Sequence, residues 1–267
     1  MDNEPTKKEL LSSNLNKSLE SVLKILETDD GKSFEEKKTN AIAYINSCIE
    51  NSKEEKQKPK LSKDNQMQAT FWMQGEPILA SETVSLRREI DTDMNAYISI
   101  QQDYNVFKDM LRETSFCDTL WEEHTAEKTL MAAIVQDGAY IGYCGIQDTS
   151  CNDWEFSIEI QTERTNQGVG FTAVTAFLDE VRKRLNVSKF RIRIDPGNYP
   201  SQKLFEKLGA TPNGISELWV HDEPSLVKCE EENLHQIDDH IIALAKKFSV
   251  EPRKLLSHIL EYTLLWK

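Results

Sequence analysis

Residues 155–170 read Glu155-Phe-Ser-Ile-Glu-Ile160-Gln-Thr-Glu-Arg-Thr-Asn-Gln-Gly-Val-Gly170. Phe156, Ile158 and Ile160 alternate with Glu155, Ser157 and Glu159, the period of a strand with one buried face. A polar loop follows, then Gly168-Val-Gly170, then an apolar face of Phe171, Val174, Leu178, Val181 and Leu185 at helical spacing. Residues 168–185 are therefore expected as a helix. Backbone amides at such a glycine-rich helix start converge without Cβ obstruction, and the helix end adds partial positive charge. That combination suits a phosphate or pyrophosphate.

Working outward, residues 84–90 read as a first strand and residues 91–113 as a helix carrying Met94, Ile98, Tyr104 and Phe107. Residues 129–136 and 140–146 are strand-like, split by the hairpin dipeptide Asp137-Gly138. Phe190 to Ile194 alternates again, residues 200–208 are a short helix closed by Gly209, and residues 217–220 are a candidate final strand. Strands interleaved with helices imply a mixed α/β (α+β) sheet with helices on its faces.

Both flanks read as helical. Leu11, Leu15, Leu19, Val22 and Leu26 share a face, and Ser33 with Glu36 has capping-box spacing at the start of a second helix. Leu234, Ile237, Ile241, Leu244 and Phe248 repeat at three and four. Pro252 suits the first turn of a last helix lined by Leu255, Leu256, Ile259, Leu260 and Leu264. The expected division is a helical hairpin and linker over 1–75, a central domain over 76–224 and a C-terminal helical extension over 225–267.

Composition narrows the function classes. The chain has 267 residues, with 45 Asp and Glu against 32 Lys and Arg, a formal net charge of -13. Such a balance speaks against nucleic acid and anionic membrane surfaces, whose binding depends on basic residues. A cationic substrate is tolerated. No stretch approaches the roughly 20 apolar residues of a membrane span, and the amino terminus lacks a secretory h-region, so the expected compartment is the cytoplasm. The five cysteines and five histidines make no metal-ligand pattern, and no metal is expected.

Two nucleotide motifs compete for the loop. Gly168-Val-Gly170-Phe-Thr-Ala173 formally matches G-x-G-x-x-A. That dinucleotide fingerprint wants its first glycine directly after the strand, whereas Gln161 to Gln167 intervene here. A Walker loop is excluded, because no Gly-Lys-Ser/Thr follows. Thr165-Asn-Gln-Gly-Val-Gly170 instead resembles the Q/R-x-x-G-x-G/A pyrophosphate loop of the GNAT superfamily of N-acetyltransferases. Downstream, Asn198-Tyr-Pro-Ser201-Gln-Lys-Leu-Phe205-Glu-Lys-Leu-Gly209-Ala210 is similar to that family's N-x-x-S-x-x-L-(Y/F)-E-K-L-G-(F/A). Glu155 to Ile160 resembles the E-I-G-Y-x-(V/L) strand of the subgroup of ribosomal-protein N-terminal acetyltransferases. The resemblance spans about residues 83–214.

The resemblance implies a GNAT-like, mostly antiparallel sheet flanked by helices, with helical N- and C-terminal extensions. It also implies acetyl-CoA as co-substrate and transfer of an acetyl group to a primary amine: a protein N-terminus, a lysine or a small amine. Backbone groups of Ile158 and Ile160 would pair with the pantetheine arm on a strand splayed from the next. Asn166 and the amides of Gln167, Gly168, Val169 and Gly170 would hold the pyrophosphate. Asn198 and Ser201 would approach the arm, with Phe205 beside it. Glu155 matches the family's strand glutamate and is the first candidate for the base that deprotonates the amine; Glu159, on the same face, is the second. An amide near Ile160 would polarise the thioester carbonyl. Thr165 departs from the family's Gln or Arg, and Phe205 from a frequent tyrosine acid. The helical flanks would pack against the domain or make a homodimer; the alternative reading is a weak or inactive acetyl-CoA-binding module that acts in protein–protein contacts through those flanks.

Overall fold

In the computed structural model, the residues described are 64–217 and 221–267. The expected amino-terminal hairpin, and all of the 217–220 strand except Glu217, lie outside them. Save for His221 and Asp222, the described residues belong to one compact unit, Leu61–Leu218 with Glu223–Lys267. It opens with helix α1 (Asp64–Trp72), strand β1 (Ile78–Leu79) and strand β2 (Val84–Arg88). Helices α2 (Met94–Tyr104) and α3 (Thr114–His124) come next, then strands β3 (Leu130–Gln136), β4 (Ala139–Ile146) and β5 (Phe156–Ile160). Helix α4 (Val169–Leu185), strand β6 (Lys189–Ile194), helix α5 (Tyr199–Lys207) and strand β7 (Thr211–Glu217) follow. Helices α6 (Glu223–Glu232) and α7 (Asp239–Phe248) lead to strand β8 (His258–Leu265).

Strands β1 to β5 form an antiparallel sheet in chain order, and β6, β8 and β7 form a second antiparallel sheet with β8 central. The two sheets touch through one parallel bridge, Glu155 with Arg191. The apolar face of α4 covers them: Ala173, Val174, Phe177, Leu178 and Val181 are fully buried. They share one core with Phe156, Phe190, Ile192, Phe205, Leu260 and Tyr262. A smaller cluster on α2, α3, β3 and β4 joins Tyr97, Ile100, Trp121, Met131 and Tyr143. The mixed α/β class, with antiparallel sheets flanked by helices, is as expected.

Three expectations need correction. The helix expected over 91–113 stops at Tyr104, and a 3-10 turn (Lys108–Arg112) precedes α3. Asn105 is extended; its Oδ1 accepts the Phe107 amide at 2.8 Å and its Nδ2 donates to Gln101 Oε1 at 3.1 Å. An Asn side chain that satisfies local backbone in this way competes with the helical ladder.

The single helix expected to carry Leu234 to Phe248 is a 3-10 turn (Leu234–Gln236) followed by α7, which Asp238 caps by accepting the Ile241 amide at 2.8 Å. Most consequentially, the last helix is absent. Pro252–Leu256 is a 3-10 turn, and β8 takes the remainder. Residues 225–267 thus hold two helices and then the central strand of a sheet. Leu255, Ile259, Leu260 and Leu264 fit a helical period, but Leu260, Tyr262 and Leu264 also alternate, and all three are fully buried. Short apolar runs satisfy both periods, and partners on both sides decide for the strand.

Strand β7 (Thr211–Glu217) was not expected before residue 217. It lies at a sheet edge with an irregularity between Pro212 and Ile215, where a proline is tolerated.

Candidate active site

Strand β5 has one satisfied edge and one open edge. Glu159 pairs with Tyr143 and Ser157 with Gly145, while Gln161 N–H reaches Ile141 C=O at 2.9 Å and Glu155 C=O accepts from Gln147 at 3.2 Å. In an antiparallel ladder alternate residues turn their backbone groups to opposite sides, so Ile158 and Ile160 present N–H and C=O away from β4. On that side β6 is joined near Glu155, where Arg191 N–H donates to Trp154 C=O at 2.9 Å. Beyond that point the two strands belong to separate sheets. The Ile160 carbonyl accepts the Tyr104 hydroxyl at 2.7 Å. Gly142 lets β5 lie this close to β4: a Cβ there would come within 2.3 Å of Glu159 C=O.

The open edge leads to the start of α4. Its first intrahelical bond from a loop carbonyl is Thr172 N–H to Gly168 C=O at 3.1 Å, so the amides of Val169, Gly170 and Phe171 have no intrahelical acceptor. Asn166 and Gly168 take left-handed conformations (φ 59 and 81), and Asn166, Gln167 and Gly168 are exposed. Space in front of Gly168 is open, with nothing within 4 Å of an added Cβ, whereas Gly170 faces Ile160, Leu204 and Ile158 at 3.4, 3.5 and 3.8 Å. An anion is accommodated at such an uncovered, glycine-opened helix end. Thr165 spends its hydroxyl on Thr162 C=O at 2.8 Å, and the Gln167 side chain folds back onto Glu163 C=O at 2.8 Å.

Of the residues expected in the second motif, Asn198 is the N-cap of α5, its side chain accepting the Ser201 amide at 3.1 Å. This fixes the start of α5 with Ser201 half-buried beside it. Phe205 is 3% exposed and meets Phe156 edge-on at 6.0 Å. It is a core residue.

The two candidate bases differ sharply. Glu155 is gripped by two arginines of β6: Arg193 Nε lies 2.9 Å from both carboxylate oxygens, and Arg191 Nη2 is 3.1 Å from Oε2. Glu261 and Asp153 also attend Arg191. Glu159 is half-buried and meets neutral donors: Gln101 Nε2 at 2.7 Å, and the Tyr143 hydroxyl. Burial pushes its carboxyl up, and these two hydrogen bonds oppose that shift. Burial likewise keeps the Tyr143 hydroxyl protonated far into the alkaline range. Gln101 and Tyr143 carry no sequence signal, since Gln101 is 58 positions from its carboxylate. Among the nearby aromatic residues, Phe116 and Trp121 are buried and Tyr104 is 40% exposed. Among the described residues no His, Cys, Asp or Glu grouping is arranged to hold a metal.

An open strand edge splayed from its neighbour runs here into a bare helix start, room for an extended ligand that ends in an anion. Residues 83–211 match the model of the acetyltransferase (GNAT) domain family, so this stretch of the chain is a GNAT acetyltransferase domain. A curated Bacillus subtilis (strain 168) protein named "Putative ribosomal protein bS18-alanine N-acetyltransferase" is 29% identical over 89 residues, 33% of this chain. The chain spans 58% of that relative's length. Among solved structures, the Salmonella typhimurium acetyltransferase that modifies the N-terminal serine of ribosomal protein L7/L12 superposes with a TM-score of 0.50 at 12% identity. It covers 72% of this chain and 100% of that one. RimL, a ribosomal L7/L12 alpha-N-protein acetyltransferase solved with coenzyme A, gives 0.50 at 12% identity over 72% and 98%. These likenesses establish the shared fold.

Proposed function

We propose that the chain is an acetyl-CoA-dependent N-acetyltransferase that moves the acetyl group directly to a primary amine. The observation that carries this reading is the unpaired edge of β5 beside the bare amides of α4. The residues present fit the co-substrate: Ile158 offers a backbone donor and acceptor and Ile160 an N–H in strand register, the Ile160 carbonyl being engaged by Tyr104, and the open space at Gly168 leaves the helix start accessible. In this reading Ile158 and Ile160 hold the pantetheine arm, and Asn166 with the amides of Gln167, Gly168, Val169 and Gly170 hold the pyrophosphate. Bound acetyl-CoA supplies an acyl group activated as a thioester.

Glu159 takes the proton from the acceptor amine. Its raised proton affinity suits a group that must ionise and then accept a proton near neutral pH. Glu155 acts instead as a clamp across the mouth of the splay, joining β5 to β6. Asn198 and Ser201 shape the start of α5 beside the arm, and Phe205 supports it from the core. The relative named for a ribosomal-protein alanine makes a protein N-terminal amine the first acceptor class to test, before lysine side chains and small amines.

The test is calorimetric titration with acetyl-CoA, coenzyme A and NAD, followed by a panel of N-terminal peptides, lysine peptides and small amines monitored for thiol release. The expected result is binding of acetyl-CoA without NAD binding, and turnover on at least one amine. Binding without any turnover would favour the second reading, a non-catalytic acetyl-CoA module, which the core position of Phe205 supports by removing a tyrosine acid from that site. No binding would overturn both.

A further inference from the structure

Gln101 is buried to 6% exposure beside a cluster otherwise built from Tyr97, Ile100, Trp121, Met131 and Tyr143. An amide in such a place is unfavourable unless its hydrogen bonds are met, and here they all are. One Nε2 hydrogen goes to Glu159 Oε2 at 2.7 Å and the other to the Tyr143 hydroxyl at 3.1 Å. Oε1 accepts from Asn105 Nδ2 at 3.1 Å. A flipped amide would set its oxygen against the carboxylate, so the network itself dictates the orientation. With its lone pair facing Gln101, the Tyr143 hydroxyl has its single hydrogen left for Glu159. Gln101, Tyr143 and Glu159 therefore close a triangle drawn from α2, β4 and β5.

We infer that Gln101 and Tyr143 are positioning residues for Glu159, fixing the direction of its carboxylate through neutral donors. This rests on the transferase reading of the same site. The contrast with Glu155 is geometric: two arginines of β6 hold that carboxylate, whereas Glu159 is held by an amide and a phenol whose other hydrogen bonds are already met. The titratable groups facing Glu159 are Tyr97 and Tyr104 from α2, His124 from α3 and Tyr143 from β4.

The experiment compares the full chain with Gln101→Leu and Tyr143→Phe, both near-isosteric. Two readouts are taken. The first is the pH profile of kcat together with KM for acetyl-CoA. The second is the protonation midpoint of the Glu159 carboxyl by 13C NMR, assigned by its loss in Glu159→Gln. Removing a donor that favours the ionised form raises proton affinity, so the midpoint and the acidic limb of kcat should each move up by about one pH unit. The value of kcat should fall about tenfold while KM stays within about twofold. An unmoved midpoint in both variants overturns the inference. A shifted midpoint in a protein that acetylates no amine leaves the positioning intact and removes the transferase reading instead.

Discussion

Arg193 meets both carboxylate oxygens of Glu155 at 2.9 Å, closing the one point where β5 and β6 still pair. The glutamate most resembling the family's strand carboxylate is thus tied to β6, whereas Glu159, four residues on, meets Gln101 and Tyr143. For Glu155→Gln we expect a loss of roughly 2 kcal/mol in stability, the size of a charge-assisted hydrogen bond. The pH profile of turnover should keep its shape. Urea denaturation and a kcat profile check this; loss of the acidic limb would return the base assignment to Glu155.

Glu159→Gln should lower kcat by about 10²- to 10⁴-fold, the usual contribution of a positioned base, while leaving acetyl-CoA affinity nearly unchanged. In the parent chain, turnover should rise with pH through a carboxyl held above the ordinary glutamate range by burial. Steady-state kinetics with calorimetry decide. Unchanged turnover in the variant would remove Glu159 from the chemistry.

At Gly168, φ of 81 is a conformation that glycine adopts freely, while the space in front is empty. Gly168→Ala should therefore lower stability by about 1 kcal/mol through backbone strain alone and retain acetyl-CoA binding. Gly168→Glu should abolish binding by repulsion of phosphate. Equal affinity in the two variants, with unchanged circular dichroism, would dissociate this loop from the co-substrate.

Phe205→Tyr tests the missing acid. Its ring lies in the core against Phe156, so the added hydroxyl is buried, with an expected loss of about 1–3 kcal/mol and no gain in rate. A faster enzyme would show that this side chain reaches the reacting groups.

Stability should also fall as pH rises. Glu89 is 8% exposed, with His124 Nε2 and the Tyr140 hydroxyl each 3.3 Å from Oε1. Burial pushes its carboxyl up, with Asp93 adding to the shift and His124 opposing it. A carboxyl with a raised folded-state pKa contributes stability that is fully present below its unfolded value and is lost as pH climbs through the raised value. Glu159 contributes with the same sign. Glu89→Gln should flatten this decline in urea midpoints measured from acid to neutral pH; an unaltered slope would exclude Glu89 as its source.

The sequence by itself determined the strand at 156–160, the loop and the helix behind it, because period-two alternation, two glycines and a helical stripe are local signals. The second motif was legible for the same reason. What the tertiary structure alone decided was longer in range. Leu260, Tyr262 and Leu264 satisfy helical and strand periods alike, and pairing with β6 and β7 on both sides made them a strand. Likewise Glu155 and Glu159 are equivalent in the alternating pattern. They are separated by what folding brings to them: two arginines from β6 on one, Gln101 and Tyr143 on the other. A carboxylate's capacity to accept a proton depends on the charge and burial of its neighbours, and those neighbours are distant in the chain.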